Sequence, residues 1–171
     1  MIISMVRSSQ GTKVMNLTNL PLLKDFSIFP KHTGNWQGNW IIFDENGQEK
    51  TRFTAVVTQN IVENKWLQTN VQTYSNGQSE THNFIGTVIG EGEVLIEGSD
   101  SAFVNYKSIA TERDDDLIIF RVWDKTTGKL RAVETINLIS PSERIRTTQS
   151  FYPETGKFRG FMVITEQKIA E

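Results

Sequence analysis

Cysteine is absent from the 171-residue chain, and this one gap excludes disulfides, thiolate metal sites and a cysteine nucleophile together. It suits a reducing compartment, so a cytoplasmic location is the expectation. Histidine is scarce, with His32 and His82 the only two. There is no surplus charge of one sign: 18 Lys+Arg stand against 20 Asp+Glu for a formal net charge of -2. Without a broad basic field, no nucleic-acid partner is expected. No apolar run is long enough to span a membrane, and the opening Met1-Ile2-Ile3-Ser4-Met5-Val6-Arg7 is too short for a secretory core. Familiar catalytic signatures are missing as well: no Gly-x-Ser-x-Gly elbow, phosphate loop, His-Glu-x-x-His or dinucleotide fingerprint occurs. Asp114-Asp115-Asp116 does not have the spaced oxygen ligands of a calcium loop and reads as a charged turn. No metal or cofactor is expected. These gaps remove the easy enzyme assignments without excluding catalysis.

With 37% hydrophobic and 22% charged residues, what is present fits one globular domain that needs no staple. Residues 1–14 read as a flexible leader, with Met5 and Met15 as alternative starts, and 15–171 as a single domain. The sequon Asn16-Leu17-Thr18 would matter only in a secreted chain. From Met15 to His32, apolar residues at Leu17, Leu20, Leu22, Leu23, Phe26 and Phe29 recur at three- and four-residue spacings. That predicts a short amphipathic helix, placed either as a plug in one barrel end or outside on a sheet. Asn19 would cap it, Pro21 is tolerated in its first turn and Pro30 helps to end it.

The stretch Gly34-Asn35-Trp36-Gln37-Gly38-Asn39-Trp40 reads as the start of the first strand, with both tryptophans on one face because strand side chains alternate. Beyond it, turn signals fall at Asp44-Glu45-Asn46-Gly47, Ser75-Asn76-Gly77, Gly90-Glu91-Gly92, Gly98-Ser99-Asp100, Asp114-Asp115-Asp116, Lys125-Thr126-Thr127-Gly128, Ser140-Pro141-Ser142 and Pro153-Glu154-Thr155-Gly156. About ten β-rich segments lie between them, with no helix long enough for a parallel crossover. A consecutive antiparallel sheet of that size must curl, split or close, and closure removes its edges. The fold class is therefore all-β, a single antiparallel up-and-down barrel of about eight to ten strands, of a size that can hold one small ligand.

Gly34-Asn35-Trp36 on a first strand, followed by a meander and a late-strand arginine, Arg146 or Arg159, resembles the lipocalin and calycin pattern. Together with Arg144-Ile145-Arg146 and Gly160-Phe161-Met162-Val163-Ile164-Thr165-Glu166, the tryptophan stretch resembles uncharacterised lipocalin-like proteins of cyanobacteria. More distantly, the layout is similar to phycobiliprotein chromophore lyases and fatty-acid-binding-like barrels. The resemblance implies a mainly hydrophobic small ligand such as a tetrapyrrole, lipid or carotenoid. Trp36-Gln37-Gly38 also resembles the opening of nitrobindin-type haem barrels. These need a late-strand histidine on iron, whereas His32 and His82 are both early.

Which polar residues face inward depends on strand parity. On 117–123, Leu117, Ile119, Arg121 and Trp123 share one face and Ile118, Phe120 and Val122 the other, so either set can look inward. Glu134 stands among aliphatic neighbours, and Arg146 and Glu166 lie on the last two strands. An interior cluster of Arg121, Glu134, Arg146 and Glu166 would anchor a ligand carboxylate or carbonyl, provided the charges satisfy one another. His82 is a candidate acid-base group. Tyr106 and Trp123 are candidate rigid walls of a cavity. The leading expectation is a binding module with His82, Tyr106, Arg121, Trp123, Glu134, Arg146 and Glu166 around the ligand. The alternatives are a cavity-templated lyase, isomerase or cyclase, and an interaction barrel with a filled core.

Overall fold

The computed structural model describes residues 20–170; the expected leader and alternative starts lie outside them. Ten strands follow one another along the chain: β1 (Gly34–Asp44), β2 (Glu49–Val62), β3 (Lys65–Tyr74), β4 (Ser79–Gly90), β5 (Glu93–Gly98), β6 (Tyr106–Arg113), β7 (Leu117–Asp124), β8 (Leu130–Ser140), β9 (Glu143–Phe151) and β10 (Phe158–Ile169). Each pairs antiparallel with its neighbours in sequence, and β1 pairs with β10 from Asn35↔Ile169 to Asp44↔Gly160, so the sheet closes. The expected meander barrel is the observed fold, and closure leaves it without an exposed sheet edge.

Two connections differ from the sequence reading. Glu63-Asn64 makes the β2–β3 turn with φ of 48° and 63°, a left-handed pair that no glycine signals. Between β5 and β6, the turn expected at residues 98–100 extends to 105. Asp100 accepts from the Phe103 and Val104 amides through its carbonyl and from the Ala102 amide through its carboxylate. This folds Phe103 back onto Phe84, with ring centroids 5.0 Å apart. Gly98 permits that approach, since a Cβ there would sit 2.4 Å from the Phe103 Cβ.

The predicted N-terminal helix is replaced, within the described residues, by two 3-10 turns, Leu23–Asp25 and Phe29–His32. Neither turn has a side-chain cap at its start, and Phe26 has extended backbone that breaks the run. The apolar spacing nevertheless reported a buried face: Leu23, Phe26, Ile28 and Phe29 pack with Trp66, Val88, Val94 and Ile118 inside the barrel end. The segment is the plug. Its backbone is tied down by side chains rather than by a helical ladder. Glu112 accepts from the amides of Ser27, Ile28 and Phe29 at 3.1, 2.5 and 2.7 Å, and Asn64 accepts from Leu23. Lys31 reaches Asp116 at 3.2 Å. Glu112→Ala is expected to cost about 2 kcal/mol through the orphaned amides. It should also speed hydrogen exchange at residues 27–29, and unchanged exchange there would refute the tie.

Candidate functional site

Trp36, Gly38 and Trp40 occupy alternate positions of β1 and so share its inward face. Across the closure, Trp36 pairs with Lys168, Gly38 with Glu166 and Trp40 with Ile164. One strand further, Glu166 pairs with Arg144 and Ile164 with Arg146. This register sets two arginines opposite two tryptophans. The Arg144 guanidinium lies 4.3 Å from the Trp36 ring centre, and that of Arg146 lies 4.8 Å from Trp40, both within cation–π range. Gly38 makes room between them: a Cβ there would lie 2.6 Å from the Glu166 Cγ and 2.0 Å from the Thr165 carbonyl oxygen.

Glu166 therefore reaches inward under the two arginines. Arg144 Nε donates to its Oε2 at 2.5 Å, and Arg146 Nη1 lies 3.6 Å from its Oε1. Arg146 also donates from Nε and Nη2 to Glu134 at 2.9 and 2.7 Å, while Thr148 donates to the second Glu134 oxygen at 2.7 Å. Two guanidinium groups thus face two carboxylates in a cluster whose charges cancel, the arrangement that buried charges require. Burial lowers the Arg144 pKa to about 10 against the opposing pull of Glu166, leaving it charged near neutrality. For Arg146, burial acts against the charge, but Glu134 and Glu166 outweigh it and raise the pKa.

His32, at the end of the plug, joins this cluster with its Nδ1 3.2 Å from Arg144 Nη1. A guanidinium can only donate, so Nδ1 accepts and the ring proton sits on Nε2. Burial, and then the Arg144 charge, lower its pKa from 6.5 to about 3. Between those values the unfolded chain binds a proton that the folded chain refuses, so stability rises with pH across the window and is lost as pH falls below 6.5. The expected slope is about 1.4 kcal/mol per pH unit at its steepest. Urea unfolding of the wild type and His32→Gln at about pH 6 and about pH 4 checks it. The variant should lose that part of the pH dependence, and parallel curves would refute it.

Beyond the cluster, a cavity of about 380 Å³ runs from the plug at Phe29 and His32 towards the opposite barrel end, where Phe103 and Tyr106 border it. Its walls are mainly apolar, with Trp40, Phe53, Trp66, Phe84, Ile118, Phe120, Val122 and Met162 among them. One strip on β2 and β3 is polar: Gln59, Gln68, Asn70, Gln72 and Tyr74. Another, on β8 and β9, carries Glu134, Arg146, Thr148 and Ser150. The volume falls in the range of small-molecule sites.

Of the residues singled out in the sequence, Glu134 and Arg146 border the cavity and pair with each other, and Arg146 also faces Glu166, which is not part of the lining. Tyr106 borders it near the far end. His82 points inward on β4 beside that end but does not itself border the cavity: its ring packs on Phe103 with centroids 4.9 Å apart, and Nδ1 lies 3.5 Å from Asp100 and Nε2 3.6 Å from Glu80. Arg121 and Trp123 are placed on the outer face, because Ile118, Phe120 and Val122 take the inward positions of β7. Their contact is with each other, guanidinium to ring centre 5.5 Å. Arg144 occupies the interior place expected for Arg121. It is also the late arginine that covers Trp36; Arg159 lies near Tyr152 instead, at 5.9 Å. His32, Arg144 and the β3 amides escaped the sequence reading, although Gln68, Asn70 and Gln72 share the parity of Trp66, which was a usable signal.

No protein-family model and no curated protein matches the chain. Solved structures do resemble it. A protein of unknown function from the DUF3598 family of Nostoc punctiforme aligns with TM-score 0.60 and 13% identity over 82% of this chain, which spans 49% of that one. The S-type phycobiliprotein lyase CPES from Guillardia theta aligns with TM-score 0.62 and 13% identity, covering 84% of this chain and 91% of that one. Rv2717c from M. tuberculosis aligns with TM-score 0.61 and 11% identity, covering 82% and 94%. Among the described residues no helix is long and apolar enough to cross a membrane. What these likenesses establish is the fold: a closed antiparallel barrel, shared with a phycobiliprotein lyase and with a protein of unknown function.

Proposed function

We propose that the protein binds one small, mainly hydrophobic molecule inside its barrel, oriented by the polar strips of the cavity wall. The cavity itself carries this reading. A barrel built only as an interaction surface has no use for about 380 Å³ of internal space, because empty volume forfeits packing energy. The inner positions of β6 and β8 hold the small residues Ser108, Ala110 and Ala132 along this space. Likeness to the phycobiliprotein lyase makes a tetrapyrrole the first probe, with lipids and carotenoids after it. It also favours a second reading, a cavity-templated lyase, isomerase or cyclase in which Glu134 and Arg146 guide a reactive substrate.

Native mass spectrometry and an absorbance spectrum of gently purified protein test the container. A stoichiometric added mass is the expected result. For protein obtained empty, a ligand supplied at a hundred times its Kd should add about 2.7 kcal/mol of stability. Empty protein that shows no thermal shift with tetrapyrroles, lipids or carotenoids would overturn the reading. Chemical alteration of a bound tetrapyrrole, absent from a Glu134→Gln variant that still binds it, would move the enzyme reading ahead.

A further inference from the structure

The amide strip on β2 and β3 has a direction. Arg144 Nη1 donates to Gln59 Oε1 at 2.6 Å. Because a guanidinium has no acceptor, Gln59 must present its oxygen there and its nitrogen elsewhere. That nitrogen donates to Gln68 Oε1 at 2.8 Å. The indole Nε1 of Trp66, also a donor only, reaches the same oxygen at 3.2 Å. Two donors thus hold Gln68 in one orientation, and its nitrogen donates onward to Asn70 Oδ1 at 3.0 Å. The last nitrogen of the series, Asn70 Nδ2, donates to no group among the described residues, yet Asn70 is 5% exposed and borders the cavity. Amide orientations are assigned through their partners, and here donor-only groups leave one assignment.

The cavity therefore offers a surplus N–H donor, Asn70 Nδ2, on the wall formed by β3. The charged cluster on the opposite strands offers no surplus charge, because Arg144 and Arg146 are balanced by Glu134 and Glu166. An anion seated at β3 would lose its hydration without finding an unmatched cation there; Arg131, which borders the cavity without a carboxylate partner among the described residues, lies at the far end beside Tyr106 and the Phe151 carbonyl. Resting on the container reading, we infer that the β3 wall of this cavity takes the uncharged end of its ligand, a hydrogen-bond acceptor of the ketone, lactam or ester carbonyl kind. The carbonyl oxygen accepts from Asn70 Nδ2, and the apolar body of the ligand lies against Phe84, Phe120 and Val122.

The relay can be reversed without touching the acceptor site. In Gln68→Glu the side chain accepts from Gln59 and Trp66 as before but has no hydrogen to pass on. Asn70 must then turn its nitrogen towards the introduced carboxylate and present Oδ1 to the cavity. Hexyl methyl ketone, octanoate and octylammonium, which share a chain and differ in head group, are titrated at neutral pH into the wild type, Gln68→Glu and Asn70→Asp, with side-chain amide NMR shifts as the readout. The wild type is expected to bind the ketone about tenfold more tightly than either ion, and its Asn70 side-chain amide signal should move on binding. Both variants should lose that preference, and Gln68→Glu should gain affinity for the ammonium. Octanoate binding as tightly as the ketone would overturn the head-group inference and leave the container standing. So would a Gln68→Glu protein that keeps the wild-type ranking while its amide spectrum shows it folded. Failure of all three probes in the wild type, with no shift of any cavity residue, would count against the container as well.

Discussion

Glu166→Ala is expected to destabilise the protein by about 3–5 kcal/mol, the usual consequence of removing one partner from a buried ion pair. Its side chain is fully enclosed, Arg144 depends on it for a charged partner, and Arg146 Nη1 faces it at 3.6 Å. Alanine leaves a guanidinium inside the barrel with Gln59 and His32 as its remaining polar neighbours. Thermal unfolding should shift down by about 10 °C for a chain of this size. Replacing both members, as Glu166→Leu with Arg144→Met, should recover much of the loss, because an apolar pair of similar volume leaves no orphaned charge. Arg121→Ala is the matched control: on the outer face it should change stability by less than about 1 kcal/mol. A Glu166→Ala protein as stable as the wild type would show that the cluster adds nothing to the fold.

Ala132→Trp is expected to weaken binding of any cavity ligand by about a hundredfold while leaving the barrel folded. Ala132 stands on the inner face of β8 between Val122 of β7 and Ser150 of β9, and it borders the cavity. An indole built from that position enters space that is otherwise free, so the overpacking cost of about 1–3 kcal/mol seen in filled cores is largely avoided. The same indole takes the volume a ligand needs, and a hundredfold loss corresponds to about 2.7 kcal/mol. Titration of a ligand found in the mass measurement into wild type and variant, with far-ultraviolet dichroism as the folding control, decides it. Equal affinity in the two would place the ligand outside the barrel.

The strand order was readable because turns are local. Asn46-Gly47 and Asn76-Gly77 mark hairpins through the positive φ that their glycines adopt, 78° and 82°. Parity was harder. Both faces of β7 are apolar, so its own residues gave no ground for choosing between Phe120 and Arg121; the choice follows from neighbouring strands, where Phe120 pairs with Ala110 and Glu134. Glu134 stood out as a charge among aliphatic neighbours, and Arg146 and Glu166 as charges on the last two strands. Arg144 was visible in the same alternation, yet only the closure register, which sets Glu166 beside it and Trp36 beyond, distinguishes it from a surface arginine. The plug was legible as an apolar pattern but not as a conformation, because its amides bond to Glu112, more than eighty positions away.

The pairing of β1 with β10 has a consequence for how the chain reaches this state. Arg144 meets His32 across 112 positions of sequence, and the seam joins the first strand to the last. Neither the seam nor the charged cluster behind it can assemble until β10 has emerged from the ribosome. Hairpins such as β2–β3 and β3–β4 can form earlier, but they then wait with Trp36, Trp40 and the plug's phenylalanines uncovered. Contacts of such long sequence separation belong to slow folding, on the millisecond to second scale. The interval before closure is when this chain is most exposed to pairing with another copy of itself.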